Sequence, residues 1–309
     1  MNKIQFRAMA LDLKDNPQKL AEYRKQYKYV YPFSDGIFKI LMANEAKPER
    51  TIKFLNAMLD LSGPKAIKSF TLGVQEQPGI LDQKTAIFDI YGTTEGGAPV
   101  LIEVQQNFNT LFVDRLVYYT ARVISNQVKK SQSYDLPHIY VLSLLCENQF
   151  PREKDAYLHH CQILRNRMYP FKKIDVLLVE MNKFFAIDDR TPPEKRETND
   201  RAEMLRMFRD VLEDKTIDEE KAARLLDSDF VKDVNFEGFT DELLLLEVDG
   251  MTDLLYEKQG SYLQGKEEGK LEDAEALLRD GDPVDRVARV LKLPLETVQA
   301  ISDRIAKDA

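Results

Sequence analysis

Hydrophobic residues follow a strand-like pattern in several parts of the chain. The clearest lies at residues 84–106, where two runs rich in β-branched residues flank a turn-forming segment at residues 93–99. This pattern predicts a β-hairpin. Continuous apolar runs at residues 138–145 and 174–181 are typical of buried strands, and a further strand is expected over residues 66–76.

Other segments predict helices. Apolar residues recur at helical spacing over residues 33–44, 48–61 and 107–131. A helix is also expected over residues 152–167, between the two buried strands, and a helical piece around residues 17–27. Because strands and helices are mixed along the chain around a central sheet, the pattern indicates an α/β or α+β fold.

The composition changes after residues 191–193, Thr-Pro-Pro, and the rest of the chain has helical patterns. A charged segment punctuated by glycines then suggests an exposed connector or an oligomerisation arm. In the tail, Glu296 and Asp303 would lie poorly beside DNA phosphates, so we expect its helix-turn-helix-like pair to pack or dimerise. These boundaries predict a first domain, an all-helical region, a connector and a tail, at residues 1–190, 191–259, 260–281 and 282–309.

Polar side chains interrupt the central hairpin at Asp89, Glu103 and Gln105. With symmetric pairing about Gly96, the opposed pairs are Asp89–Glu103, Tyr91–Leu101 and Ile87–Gln105. Because side chains alternate between the two faces of a strand, the two carboxylates and the amide then point to one face.

Two carboxylates held side by side repel each other unless a cation lies between them. Carboxylates on neighbouring strands are ligands that Mg²⁺ accepts together with water and substrate phosphate. Asp89 and Glu103 are therefore a candidate metal site. The alternative is that both lie on the solvent-facing side of a half-buried sheet, since a slip of one residue in register separates them.

The composition narrows the functional classes. The chain has 309 residues, of which 43% are hydrophobic and 31% charged, as in ordinary globular proteins. The net charge of −8 weighs against a protein that coats nucleic acid, but it does not exclude a nuclease. No apolar run could span a membrane, the start lacks a signal-peptide layout, and Cys146 and Cys161 show no zinc or disulfide spacing. We therefore expect a cytoplasmic protein without a membrane partner.

Asp35 and Arg115 are further candidates whose roles the pattern leaves open. Asp35 lies in the first turn of a helix, where its charge favours the helix dipole. Arg115 lies on the long helix after the hairpin, either as a surface charge or in an active site.

Of the three histidines, His159 and His160 adjoin in the expected helix and cannot share one face as metal ligands would.

Four segments occur in order over roughly residues 30–185: YPFSDGIFKIL, FDIYG…APVLIEVQ, DRLVYYTARVISNQV and HIYVLSLL. Together they resemble the recombination-promoting nucleases, which are transposase-like bacterial proteins of the PD-(D/E)XK nuclease superfamily. The resemblance implies a restriction-endonuclease-like core, in which helices flank a mixed sheet, with a divalent metal at the central hairpin.

The resemblance also implies roles for single residues. Asp89 and Glu103 would be metal ligands, for Mg²⁺ or Mn²⁺. Asp35 matches an acidic position of the family and would touch the metal through water. Arg115 and Tyr119 match the helix that lines the site.

Two positions depart from the superfamily pattern. Phe88 stands where proline is expected, which is common in the superfamily, and Gln105 stands where lysine is usual. A lysine can stabilise an attacking hydroxide, whereas a neutral amide can only orient it or bind the metal through its oxygen. Lys39 and Lys84 are candidates to replace the missing charge.

The hypothesis is a metal-dependent DNA endonuclease of the transposase-like, recombination-promoting type. In it, Gln105 orients the attacking water and Arg115 holds a phosphate oxygen. Two alternatives remain open. One is a nuclease-fold protein that has lost cutting and acts as a DNA- or protein-binding module. The other is an adaptor whose helical half binds another protein or self-associates through residues 260–309.

Overall fold

The structure is a computed structural model of the chain and describes residues 1–77, 85–127, 135–170, 173–248, 270–271 and 273–308. Two compact units are present, Met1–Glu247 and Val248–Ala309. Half of the predicted connector at residues 260–281 lies outside the described residues, as does the candidate residue Lys84. The four-part division drawn from the sequence stays a prediction.

The first unit contains helices α1 to α9 and strands β1 to β10. The helices are α1 (Lys3–Asp15), α2 (Leu20–Gln26), α3 (Asp35–Met42), α4 (Pro48–Leu59), α5 (Phe112–Ser125), α6 (Met181–Arg190), α7 (Asp200–Leu212), α8 (Glu219–Leu225) and α9 (Phe230–Asp233). The strands are β1 (Phe70–Leu72), β2 (Glu76–Gln77), β3 (Ala86–Ile87), β4 (Ile90–Thr94), β5 (Pro99–Gln105), β6 (Ile139–Leu145), β7 (Leu158–Cys161), β8 (Leu164–Arg165), β9 (Tyr169–Pro170) and β10 (Ile174–Glu180).

A six-stranded mixed sheet organises this unit, in the order β1-β4-β5-β6-β10-β7. Neighbouring strands β4 and β5 are antiparallel, β5, β6 and β10 run parallel, and β7 is antiparallel to β10. Helix α5 packs Phe112, Leu116 and Val123 against the sheet residues Leu101 and Val141. The predicted α/β fold, a mixed sheet flanked by helices, is confirmed.

Several predicted elements have nearly the expected bounds. Helices α3, α4 and α5 and strands β6 and β10 all lie within their predicted segments. The strand expected over residues 66–76 is instead divided into β1 and the short β2. Helix α1 was not predicted, because its segment is largely polar. Its apolar residues Phe6, Met9, Ala10 and Leu13 nevertheless recur at helical spacing and are buried.

The helix expected over residues 152–167 is wrong. This segment forms β7, which pairs with β10, and the two-stranded β8–β9 hairpin, whose turn residues Asn166 and Arg167 have positive φ angles. Neighbouring side chains of β7 point to opposite faces. His159 therefore contacts Glu180 and His160 contacts Asp175. Pairing with a strand that comes later in the chain outweighs the local pattern.

The helices after β10 pack on the earlier part of the first unit. Arg50 of α4 is 1% exposed, and its guanidinium donates to Asp227 from Nε at 2.6 Å and to Asp233 from Nη2 at 2.6 Å. Both carboxylates lie at the α8–α9 end of the helical region. This buried ion pair joins the helical region to α4.

The second unit has a small core of its own. Its helices Val284–Leu291 and Leu295–Asp308 match the pair predicted for the tail. Their buried residues Val287, Val298 and Ile301 pack with Ala274 from the preceding helical segment. Among all described residues, no helix is long and apolar enough to cross a membrane.

Candidate functional site

The central hairpin has the predicted register. Ile90 pairs with Ile102 and Tyr91 with Leu101, and Asp89 immediately precedes β4. Here the Asp89 backbone N–H lies 3.4 Å from Glu103 Oε1, to which it donates. The two carboxylate side chains predicted to be neighbours are thus brought together.

The third predicted pair, Ile87 with Gln105, is wrong. Ile87 belongs to β3 and pairs with Glu76 of β2. The physical reason is the hydrogen bond made by Val104, the residue before Gln105. The Val104 N–H, which a continued ladder would satisfy with backbone, instead donates to Asp89 Oδ2 at 2.6 Å. The side chain of Asp89 thus ends the pairing with β5 and fixes its own position.

Burial dominates the electrostatics of the two carboxyl groups. Burial raises the pKa of Asp89 to about 7, against the opposing effect of the Val104 N–H. Glu103 is 5% exposed, and burial together with the charge of Asp89 raises its pKa well above the ordinary value. The positive charge of Arg115 opposes that rise. Two ionised carboxylates at this place are therefore costly without a cation.

Asp35 adds a third carboxyl group. It lies close enough to Asp89 for its charge and a shared hydrogen bond to raise the pKa of Asp89 further. Its side chain is 66% exposed and forms an ion pair with Lys39, with 3.1 Å between Oδ1 and Nζ. Of the two lysines considered from the sequence, Lys39 therefore lies beside the candidate site, and its charge favours ionised Asp89.

Gln105 is the last residue of β5, and its side chain is held at both ends of its amide. Its Nε2 donates to the Asn107 carbonyl oxygen at 2.5 Å, and its Oε1 accepts from Nη2 of Arg115. The guanidinium carbon of Arg115 lies 5.9 Å from the ring centroids of both Phe112 and Tyr119. The structure thus brings Arg115 and Tyr119 of α5 to the hairpin, as the resemblance implied.

Helix α1 braces the loop between β5 and α5, a support that the sequence did not reveal. Lys3 donates from Nζ to the Gln106 carbonyl oxygen at 2.6 Å, and Arg7 donates from Nη2 to Asn107 Oδ1. The residues in each contact are about one hundred positions apart, so no local pattern could signal them. Gln149 also donates to the Asn107 carbonyl oxygen, at 2.9 Å.

A fourth carboxylate lies at the start of α3. Glu247 accepts from the backbone N–H groups of Gly36 and Ile37, and its pKa is raised by burial, with the charge of Asp35 adding to the rise. A Cβ added at Gly36 would lie 1.6 Å from Glu247 Oε1, so any larger residue there would displace the Glu247 carboxylate. No local pattern in the sequence signals this long-range contact.

The chemistry of the donor set suits a hard divalent cation. Mg²⁺ is commonly bound by one or two carboxylates together with water and phosphate oxygens, and Asp89 and Glu103 supply such a pair. A cation would also offset the burial and the like-charge repulsion that raise both pKa values. No cluster of three or more His, Cys, Asp or Glu side chains able to hold a metal ion is found among the described residues.

The comparison with protein families identifies the family of the chain. Residues 32–260 match the family described as PD-(D/E)XK nuclease family transposase, and the chain belongs to this family. The resemblance seen in the sequence is thereby confirmed, and the class is that of nucleases with DNA as the substrate. Comparisons with curated proteins and with solved structures each found no match.

Proposed function

We propose that this nuclease-family protein is a divalent-metal-dependent DNA endonuclease. One observation supports this most: Asp89 and Glu103 lie side by side at a sheet position where burial and mutual repulsion disfavour two negative charges. A fold does not keep such a pair for stability alone, because replacing either carboxylate by a neutral group would relieve the repulsion. A cation that binds phosphate would explain why both are present.

In this proposal Asp89 and Glu103 hold Mg²⁺ or Mn²⁺. The bound cation would supply an activated water and would stabilise negative charge on the phosphate. Arg115 binds a phosphate oxygen through its planar guanidinium. Asp35 orders water at the exposed side of the site, and Gln105 orients groups in the site through its side-chain oxygen.

The finer biological role extends the same proposal. A part in DNA recombination follows the bacterial recombination-promoting nucleases that the sequence resembles. Cys146 and Cys161 are both free thiols, which suits the reducing cytoplasm. Self-association through residues 260–309 is also proposed, since Val290 and Leu295 of the second unit are exposed apolar residues. Deleting residues 260–309 should then reduce the number of chains per particle, as determined from the mass in solution.

Plasmid cleavage tests the proposal. Wild-type protein with Mg²⁺ or Mn²⁺ should convert supercoiled plasmid to open-circular or linear forms, and Asp89→Asn and Glu103→Gln should not. The matched control is Glu95→Gln, which removes an exposed carboxylate at the turn of the same hairpin and should cut like wild type.

Other outcomes of this assay refute or replace the proposal. If the double variant of Asp89 and Glu103 cuts as well as wild type, the catalytic site is elsewhere. If wild type binds the plasmid but cuts with neither metal, the chain is the non-cutting DNA-binding module considered above. The position of Gln105, where lysine is usual, makes that second outcome a specific alternative.

A further inference from the structure

The side chain of Gln105 is engaged on both sides and faces a cation. It is 7% exposed, and its Nε2 is held by the Asn107 carbonyl oxygen. Its Oε1 accepts from Arg115. With Nε2 turned towards the Asn107 carbonyl oxygen, Oε1 faces the guanidinium.

Arg115 is held on its other sides by the helix that carries it. Phe112 lies one turn before it on α5 and Tyr119 one turn after it, and both rings lie 5.9 Å from the guanidinium carbon. Aromatic faces attract a guanidinium group. A guanidinium has five N–H donors in a rigid plane, so a bond to Gln105 fixes the plane and leaves donors for another acceptor.

The held cation lies on the Glu103 side of the carboxylate pair. Gln105, its hydrogen-bond partner, is two residues after Glu103 on β5, so the two side chains are on the same face of the strand. The positive charge of Arg115 opposes the rise in the pKa of Glu103. Negative charge that develops on a phosphate at the carboxylate pair would therefore meet a preorganised cation, which stabilises a transition state more than a mobile cation does. A lysine at residue 105 would instead place a second cation against Arg115.

We propose that Gln105 is a positioning residue, which holds the Arg115 guanidinium on the Glu103 side of the carboxylate pair, and that Arg115 supplies the positive charge for phosphodiester cleavage. This inference rests on the proposed nuclease function. It departs from the role suggested by the sequence, in which Gln105 would orient the attacking water itself.

The test is a mutant cycle of Gln105→Leu, Arg115→Gln and the double variant. Kinetics are measured on a short DNA duplex with Mn²⁺. We expect Arg115→Gln to lower kcat about 10²- to 10³-fold. We expect Gln105→Leu to lower kcat about 10- to 100-fold through misplacement of the guanidinium, with KM changed less than about twofold. The double variant should be no slower than Arg115→Gln, because both substitutions remove the same effect, which is the charge of a correctly placed guanidinium.

A matched control separates this effect from loosening of the loop. Gln149→Leu removes another buried amide that donates to the same Asn107 carbonyl oxygen, but among the described residues Gln149 forms hydrogen bonds with Asn107 and Asn109 and not with Arg115. Its kcat should therefore fall far less than that of Gln105→Leu.

A second readout needs neither metal nor DNA. In ¹⁵N-arginine spectra of the metal-free protein, a held Arg115 gives resolved Nη–H signals, because rotation about its Cζ–N bonds is slow. Those signals should average in Gln105→Leu and stay resolved in Gln149→Leu. A purely packing role for Gln105 would change unfolding temperature without selectively changing the Arg115 signals.

Specific results overturn the inference. If Gln105→Leu and Arg115→Gln lower kcat by factors that multiply in the double variant, Gln105 acts independently of Arg115. If Gln105→Leu cuts like wild type, or leaves the Arg115 signals resolved, it does not hold the guanidinium, while the nuclease proposal stands. If wild type fails to cut at all, the nuclease proposal falls and the proposed role of Arg115 in cleavage falls with it.

Discussion

Replacing Asp89 by asparagine should stabilise the metal-free protein even though it removes the proposed catalytic group. Raising the pKa from 3.8 to about 7 makes charged Asp89 less favourable by about 4 kcal/mol, at about 1.4 kcal/mol for each tenfold change in proton affinity. Asparagine keeps an acceptor for the Val104 N–H and removes the charge. Some of the gain is lost to burial of a neutral amide.

The effect has a defined dependence on pH. A carboxyl group whose pKa is raised by folding gives its full stability below the unfolded pKa and loses it as pH rises through the folded pKa. From these two pKa values, charged Asp89 costs at most about 2 kcal/mol at pH 5 and about 4 kcal/mol at pH 8. The advantage of Asp89→Asn over wild type should therefore be about 2 kcal/mol larger at pH 8.

Urea unfolding in EDTA at the two pH values measures this difference, and Mg²⁺ should then stabilise wild type but not the variant. Asp188→Asn is the contrasting control. Burial alone would raise the pKa of Asp188, but hydrogen bonds and charge from Arg206 and its neighbours outweigh burial and lower it. This variant should lose stability at pH 8. If Asp89→Asn is no more stable than wild type at pH 8, the cost inferred for a charged, buried Asp89 is wrong.

Three further changes test the packing around the site. Arg50→Met removes the cation paired with Asp227 and leaves Asp233 paired with Lys47, and it should lower the free energy of unfolding in urea by up to about 3–5 kcal/mol. Gly92→Ala puts a Cβ 2.5 Å from the Thr71 carbonyl oxygen. It should cost about 1–3 kcal/mol by displacing β1, seen as a lower unfolding temperature. Lys3→Met releases the loop after β5 and should reduce kcat for DNA cleavage about tenfold or less, at about 1 kcal/mol per lost bond. An unchanged kcat would show that α1 does not support the site.

The carboxylate pair was predictable because a hairpin is a local structure. The turn around Gly96 fixes which residues oppose each other. Since Tyr91 pairs with Leu101, Asp89 and Glu103, each two residues further from the turn, lie side by side. The pairing failed only at Ile87. There, the Asp89 side chain accepts the hydrogen bond from the Val104 N–H that continued strand pairing would have used. The pattern of apolar residues cannot predict such a side-chain hydrogen bond.

Contacts between distant segments explain what the sequence did not reveal. The polar run that includes His159 and His160 is a strand because β10 offers it a free edge, and that partner comes later in the chain. The contact between Gln105 and Arg115 depends on how α5 returns across the sheet. The sequence named both residues as candidates, but their hydrogen bond required the folded chain.

Anomalous diffraction from crystals soaked in Mn²⁺ tests the central claim most directly. We predict a strong Mn²⁺ peak beside the carboxylate oxygens of Asp89 and Glu103, which would hold the cation. The same soak of Asp89→Asn crystals should lose that peak. A Mn²⁺ peak at other residues, or none at this pair in wild-type crystals that bind Mn²⁺ elsewhere, would contradict the account.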